Sequence, residues 1–169
     1  MITHLLDAKG IKEVYSNQSL APLKTKHLKG FWVFHIETVG GLAGPETIGT
    51  SQIIDGTVKV DKNGNGVVTN GYNALYFGTQ GNQLNIDFSK HAKFDVAIVD
   101  KKAGVVEVTL TVPDFVTNKP NEMVVEKFIL TVIRDRITGR AIELRGHRTE
   151  LSSQTVTDLY SFVAKRTVL

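Results

Sequence analysis

The sequence predicts an all-β fold: an antiparallel up-and-down β-barrel with one C-terminal α-helix packed outside it. Three observations carry that expectation. Runs rich in β-branched and aromatic residues recur at close spacing between residues 31 and 149. Turn chemistry separates them, in Asp55-Gly56, Asn63-Gly64, Asn70-Gly71, Gln80-Gly81-Asn82, the stretches 101–104 and 113–120, and Thr138-Gly139. No helical pattern is interleaved between the runs, which argues against a parallel α/β sheet.

Residues 1–29 read as an irregular lead-in, with Leu5, Leu6, Ile11, Val14 and Tyr15 at helical spacing and a basic stretch of Lys24, Lys26, His27 and Lys29. One short helix packing on or across an end of the core is expected there. The first strand is 31–38. Alternate residues share a face, so Trp32, Phe34, Ile36 and Thr38 lie opposite Phe31, Val33, His35 and Glu37. The first set is the more apolar and is assigned to the interior. The run Val39-Gly40-Gly41-Leu42-Ala43-Gly44-Pro45 ends the strand in a flexible loop; it lacks the Gly-Lys-Ser/Thr ending of a phosphate loop.

Further strands are expected at 47–54, 57–60, 66–69, 74–77, 83–88, 94–99, 105–112, 123–133 and 140–149. Alternation is clearest where Val106, Val108, Leu110 and Val112 oppose Glu107, Thr109 and Thr111, a strand with one wet face. The run 123–133 is nearly continuously apolar and calls for an outer cover. Val156, Leu159, Tyr160 and Val163 fall at i, i+3, i+4 and i+7, with Thr155 and Asp158 as a capping pair, and supply it as a helix. The chain is thus expected to be one domain, with a lead-in (1–29), a barrel (30–150) and a helix (153–169); 169 residues at 41% hydrophobic suit one core better than two.

Composition narrows the function classes. Without cysteine there is no disulfide scaffold, thiolate metal site or cysteine nucleophile. The start lacks a basic and then apolar signal pattern, which makes the cytoplasm the expected compartment. No window approaches the roughly 18 apolar residues of a membrane span, and a net charge of +3 is too small to argue for nucleic acid, so neither a membrane nor a nucleic acid is expected as partner. Asp61-Lys62-Asn63-Gly64-Asn65-Gly66 begins like a calcium loop, but Tyr72 stands where the bidentate glutamate belongs, so a hairpin turn is the better reading. The histidines have no metal-ligand spacing, and Ser51, Ser152 and Ser153 have no nucleophile-elbow context. No metal or cofactor is expected.

The order of elements, with Gly30-Phe31-Trp32 opening the first strand, resembles the lipocalin or broader calycin superfamily. The resemblance implies a barrel closed at the tryptophan end and open at the other, holding a small molecule. It also implies a structural set of Gly30, Trp32 and a basic residue near the end of the last barrel strand, packed on the indole. With the last strand at 140–149 that residue is Arg148, or Arg145 if a bulge shifts the register. The expected function is a non-enzymatic binding protein for a small hydrophobic ligand with an acidic group. Its interior would be lined by Trp32, Phe34, Ile36, Thr38, Tyr76, Phe94, Phe128 and Leu130. Strand direction then puts the glycine-rich loop beside the hairpin 134–140 at the open end, where Arg136 and Arg140 would meet the acidic group.

Two rival classes stand beside it. One is an isomerase, cyclase or lyase using His35, Glu37 and His147, which requires the opposite register, with these residues inside. The other is an interaction module with a filled barrel. An oligonucleotide-binding barrel fits poorly, because the strand count exceeds five.

Overall fold

The computed structural model describes residues 21–41, 51–77, 82–87, 92–114, 119–152 and 155–167. Among these, nine strands form one antiparallel meander: β1 (Gly30–Gly41), β2 (Ser51–Val60), β3 (Asn65–Phe77), β4 (Asn82–Asp87), β5 (Lys93–Asp100), β6 (Val105–Asp114), β7 (Lys119–Arg134), β8 (Ala141–Ser152) and β9 (Thr155–Thr167). The sheet closes on itself, because β1 pairs with both β2 and β9 and β2 pairs with β3. β4 pairs with the far half of β3 and β5 with its near half, so together they fill one position. Eight positions thus make the ring, and an even number lets the last strand return antiparallel to the first.

The expected C-terminal helix is a strand. Tyr160, Phe162, Ala164 and Arg166 share the inward face of β9, with Phe162 and Ala164 fully buried, while β9 bonds to β1 on one side and β8 on the other. The helical stripe was a coincidence of spacing in a segment whose Thr, Val, Tyr and Phe content favours a strand. Among the described residues the helical structure is a single 3-10 turn, Thr25–His27, and no helix is long and apolar enough to cross a membrane.

Two expected turns also lie inside strands. β2 runs through Asp55-Gly56 and β3 through Asn70-Gly71, with Gly56 and Gly71 as Cα partners beside a register shift between Thr57 and Val58. Glycine in a strand marks a bulge or a close approach as readily as a turn. Gly56 serves the latter, since a Cβ there would lie 2.3 Å from the Phe34 ring.

Phe34 pairs with Gly56, Phe94 with Gly66 and Phe162 with Gly146 across neighbouring strands. At Gly56 the missing Cβ leaves room for the Phe34 ring, whereas at Gly66 and Gly146 it leaves room for the backbone oxygens of Phe94 and Ile129. The rings meet one another across the bore, with centroids 5.3 Å apart for Phe34 and Phe94, 6.4 Å for Phe94 and Phe162, and 5.1 Å for Phe128 and Phe162. Four phenylalanines thereby fill the middle of the barrel, a packed layer and not an open bore.

One end is closed. The β2–β3, β5–β6 and β7–β8 hairpins turn there, where β1 begins and β9 ends. The lead-in crosses this end and buries Leu23 and Leu28 against the core. It is held by Leu23 N–H donating to Lys101 O at 2.8 Å and Arg134 Nη1 donating to Ala21 O at 2.7 Å. At the opposite end the connections 42–50, 78–81, 115–118 and 153–154 lie outside the described residues.

Candidate functional site

The end-to-end order of inward side chains defines the site. Nearest the closed end stands Trp32, buried, its Nε1 donating to Leu28 O at 2.9 Å and its ring covered by the Arg166 guanidinium at 5.0 Å. Arg166 Nη2 also donates to His27 O at 2.7 Å, tying β9 to the lead-in. Gly30 makes the room: a Cβ there would lie 2.9 Å from Arg166 Nη1. The basic residue expected over the indole is therefore Arg166, not Arg148 or Arg145. The last strand of the barrel is β9 and not the segment 140–149, and Arg166 lies near its end.

Above Trp32 comes the phenylalanine layer, and above that the wall turns polar. Glu126, Arg148 and Tyr160 stand on the inward faces of β7, β8 and β9. Glu126 pairs across β6 with the fully buried Leu110, and Arg148 is the Cα partner of Tyr160, one inward step beyond Gly146 and Phe162. Arg148 Nη1 forms an ion pair with Glu126 Oε2, and its guanidinium lies 5.8 Å from the ring centres of both Phe128 and Tyr160. The side chains of Arg148 and Glu126 retain 22% and 24% of their exposure, although the paired Glu126 Oε2 is itself buried. An arginine held between two aromatic rings and paired with a carboxylate can exchange that carboxylate for another anion.

The backbone around this pair is open. The β7–β8 ladder runs from Arg134 and Ala141 to Leu130 and Gly146 and stops, although both strands continue toward the mouth. Glu126 and Arg148 thus join the two strands by side chains where the ladder no longer does.

The other residues singled out from the sequence divide clearly. Phe34, Phe94, Phe128 and Leu130 face inward but are fully packed, while Trp32 and Ile36 flank the layer they form. Thr38 and Tyr76 lie on β1 and β3, with side chains outside the described set. Arg136 and Arg140 are not at the open end: their hairpin turns at the closed end, where Arg140 bears electrostatically on Arg166. Missing β9 changed the strand parity by one, which moved that hairpin to the wrong end. Arg145 is on the outer face, bonded by its Nε to Glu143 Oε1 at 2.7 Å.

His35, Glu37 and His147 face outward, so the register required for a buried acid–base pair does not occur. His35 Nδ1 lies 2.6 Å from Asp55 Oδ1 and its Nε2 lies 3.5 Å from Glu37 Oε2. Burial works against the charged imidazole, but the hydrogen bond and charge of Asp55, reinforced by Glu37, outweigh it and raise the His35 pKa above its ordinary 6.5. His147 is exposed on β8, and β9 separates it from β1, with Ser161 as its neighbour. Among the described residues, no three His, Asp or Glu side chains are grouped to hold a metal ion. In the calcium-like loop Asp61 Oδ1 accepts the backbone amides of Asn63 at 2.8 Å and Asn65 at 2.9 Å, the work of a hairpin turn.

Sequence reasoning put Arg148 on an inward face but missed Glu126 and Tyr160. Glu126 carried a signal: on the apolar alternation Val124, Phe128, Leu130, Val132 it is a charged intruder. Tyr160 was hidden by the helical reading of its segment. Comparison with protein-family models, curated proteins and solved structures finds no match for the chain.

Proposed function

We propose that this chain is a small-molecule binding protein of lipocalin-like design, holding an amphiphile with an acidic group in the mouth of the barrel. The observation that supports this most is the Glu126–Arg148–Tyr160 group, set on the inward wall above a hydrophobic floor. The ligand's acidic group would compete with Glu126 for Arg148, with its apolar body in the upper part of the barrel. This relocates the anion contact from Arg136 and Arg140 to Arg148. The Gly30–Trp32–Arg166 arrangement at the closed end supports the lipocalin-like relationship, which remains part of the proposal.

The filled-barrel reading has its own support in the four packed phenylalanines, which leave the ligand the upper part of the barrel alone. Calorimetric titration with straight-chain carboxylates and with alcohols of equal length separates the two. Saturable binding that favours the carboxylate is expected; no binding of either series would make the barrel a filled interaction module.

A further inference from the structure

The closed end carries a charge pattern that the ligand reading does not use. On the lead-in and the three hairpin turns, Lys24, Lys26, Lys29, Lys62, Lys101, Lys102, Arg136 and Arg140 are exposed. Among the described residues of these segments (21–29 and the three turns) the carboxylates are Asp61, Asp100 and Asp135. Eight cations against three carboxylates give +5 on this end, more than the +3 of the whole chain, so the remainder of the chain sums to about −2.

Those three carboxylates are turned into their own turns. Asp100 Oδ1 accepts the amides of Lys102 at 2.8 Å and Ala103 at 2.9 Å, and Asp135 Oδ1 accepts those of Thr138 at 2.7 Å and Ile137 at 3.1 Å. Asp61 does the same for Asn63 and Asn65. These carboxylates are held against backbone amides of their own turns, while the surrounding lysines and arginines are exposed. The segments are also fastened together, since the lead-in bonds to the β5–β6 turn through Lys101 O and to Arg134 beside the β7–β8 turn.

A second feature accompanies the charge. Ile137, at the tip of the β7–β8 hairpin and between Arg136 and Arg140, is 95% exposed, and Val99 and Ile142 at the same end are 59% and 43% exposed. Among the described residues the exposed large aromatic side chain is Tyr72, which sits far up β3 opposite Asp55 and Asp87. Aliphatic tips within a basic face suit the boundary between headgroups and acyl chains; single-stranded nucleic acid would call for exposed aromatic stacking platforms, whereas at this end, among the described residues, Trp32 is buried and Phe31 is half-buried beneath Lys59 Nζ.

We propose that the closed end of the barrel docks on an anionic lipid surface, with Ile137 inserted and the surrounding lysines and arginines against the headgroups. That no helix among the described residues is long and apolar enough to cross a membrane does not bear on this, because the contact is peripheral. It is independent of ligand binding, which uses the opposite end.

Co-sedimentation with phosphatidylcholine vesicles, with and without phosphatidylserine, tests it. Binding is expected on the anionic vesicles and not on the neutral ones, and it should vanish toward 1 M salt, where screening shortens to about 3 Å. Replacing both Arg136 and Arg140 by Ser should lower the partition about tenfold or more. Ile137→Ser should lower it about fivefold at unchanged net charge. Both variants alter an exposed hairpin, and unchanged Trp32 emission verifies their fold. Equal binding to both vesicle types would overturn the proposal, as would an Ile137→Ser protein that partitions like the parent. Failure to bind vesicles together with salt-sensitive binding of an oligonucleotide would assign the basic end to nucleic acid instead.

Discussion

Arg148 on β8 reaches Glu126 on β7 at a level of the barrel where the backbone ladder between the two strands has already ended. The ladder stops at Leu130 and Gly146, and a Cβ on Gly146 would lie 2.6 Å from Ile129 O, so the strands touch closely at the point where the pairing ends. An ion pair is a weaker and more exchangeable tie than a run of backbone hydrogen bonds, and it can be broken by a competing anion. The end of the β7–β8 ladder and the Glu126–Arg148 pair are therefore one feature.

At the other end, Trp32 and Arg166 define a structural lock. As the chain's single tryptophan, Trp32 should emit at short wavelength and resist aqueous quenchers. Trp32→Ala should destabilise the fold by about 3–5 kcal/mol, as large-to-small core changes do. Arg166→Met should cost about 1–2 kcal/mol through loss of the cation–indole contact and the bond to His27 O. Denaturant titrations read both, and an emission maximum typical of free tryptophan would refute the placement.

Gly56 and Phe34 should behave as a coupled pair. Gly56→Ala drives a methyl into the Phe34 ring and should cost about 1–3 kcal/mol. Adding Phe34→Leu relieves the collision, so the double variant should be less destabilised than the two single changes added together. Additive losses in the double-mutant cycle would mean that the ring does not occupy the space Gly56 leaves.

Much of the barrel was legible in the sequence because its strands obey a simple alternation. Trp32, Phe34 and Ile36 are inside and His35 and Glu37 outside, as the pattern of residues 31–37 indicates. Glycine was misleading because the same residue serves turns and close packing. Asp55-Gly56 and Asn70-Gly71 look like hairpin loops, and what distinguishes them is a partner on a neighbouring strand, which a single sequence does not display. The last strand was lost for a related reason: Val156, Leu159, Tyr160 and Val163 fit a helix while Tyr160, Phe162, Ala164 and Arg166 fit a strand, and barrel closure decides between them. That single error relocated Arg148, Arg136 and Arg140, since every end assignment follows strand parity.

His35 predicts a pH dependence with a definite sign. Its folded pKa is raised above the ordinary 6.5, so its contribution to stability is fully present below that value and is lost as pH rises through the folded pKa. The site is about half exposed, which keeps the effect below about 1 kcal/mol. Stability should therefore decline modestly on going from mildly acidic to mildly alkaline solution, and Asp55→Asn should flatten that slope. An Asp55→Asn protein with the same slope as the parent would assign the dependence to another group.

The most direct measurement of the central claim is the affinity ratio between a fatty carboxylate and its equal-length alcohol, determined by calorimetry for the parent, Arg148→Met and Glu126→Gln. A charge-assisted bond to Arg148 predicts a parent ratio of about ten to a hundred in favour of the carboxylate. Arg148→Met should bring that ratio close to one with little change for the alcohol, and Glu126→Gln should raise carboxylate affinity by removing its competitor. A ratio that survives Arg148→Met, or a Glu126→Gln variant that weakens the carboxylate, would contradict recognition of an acidic ligand in the barrel mouth.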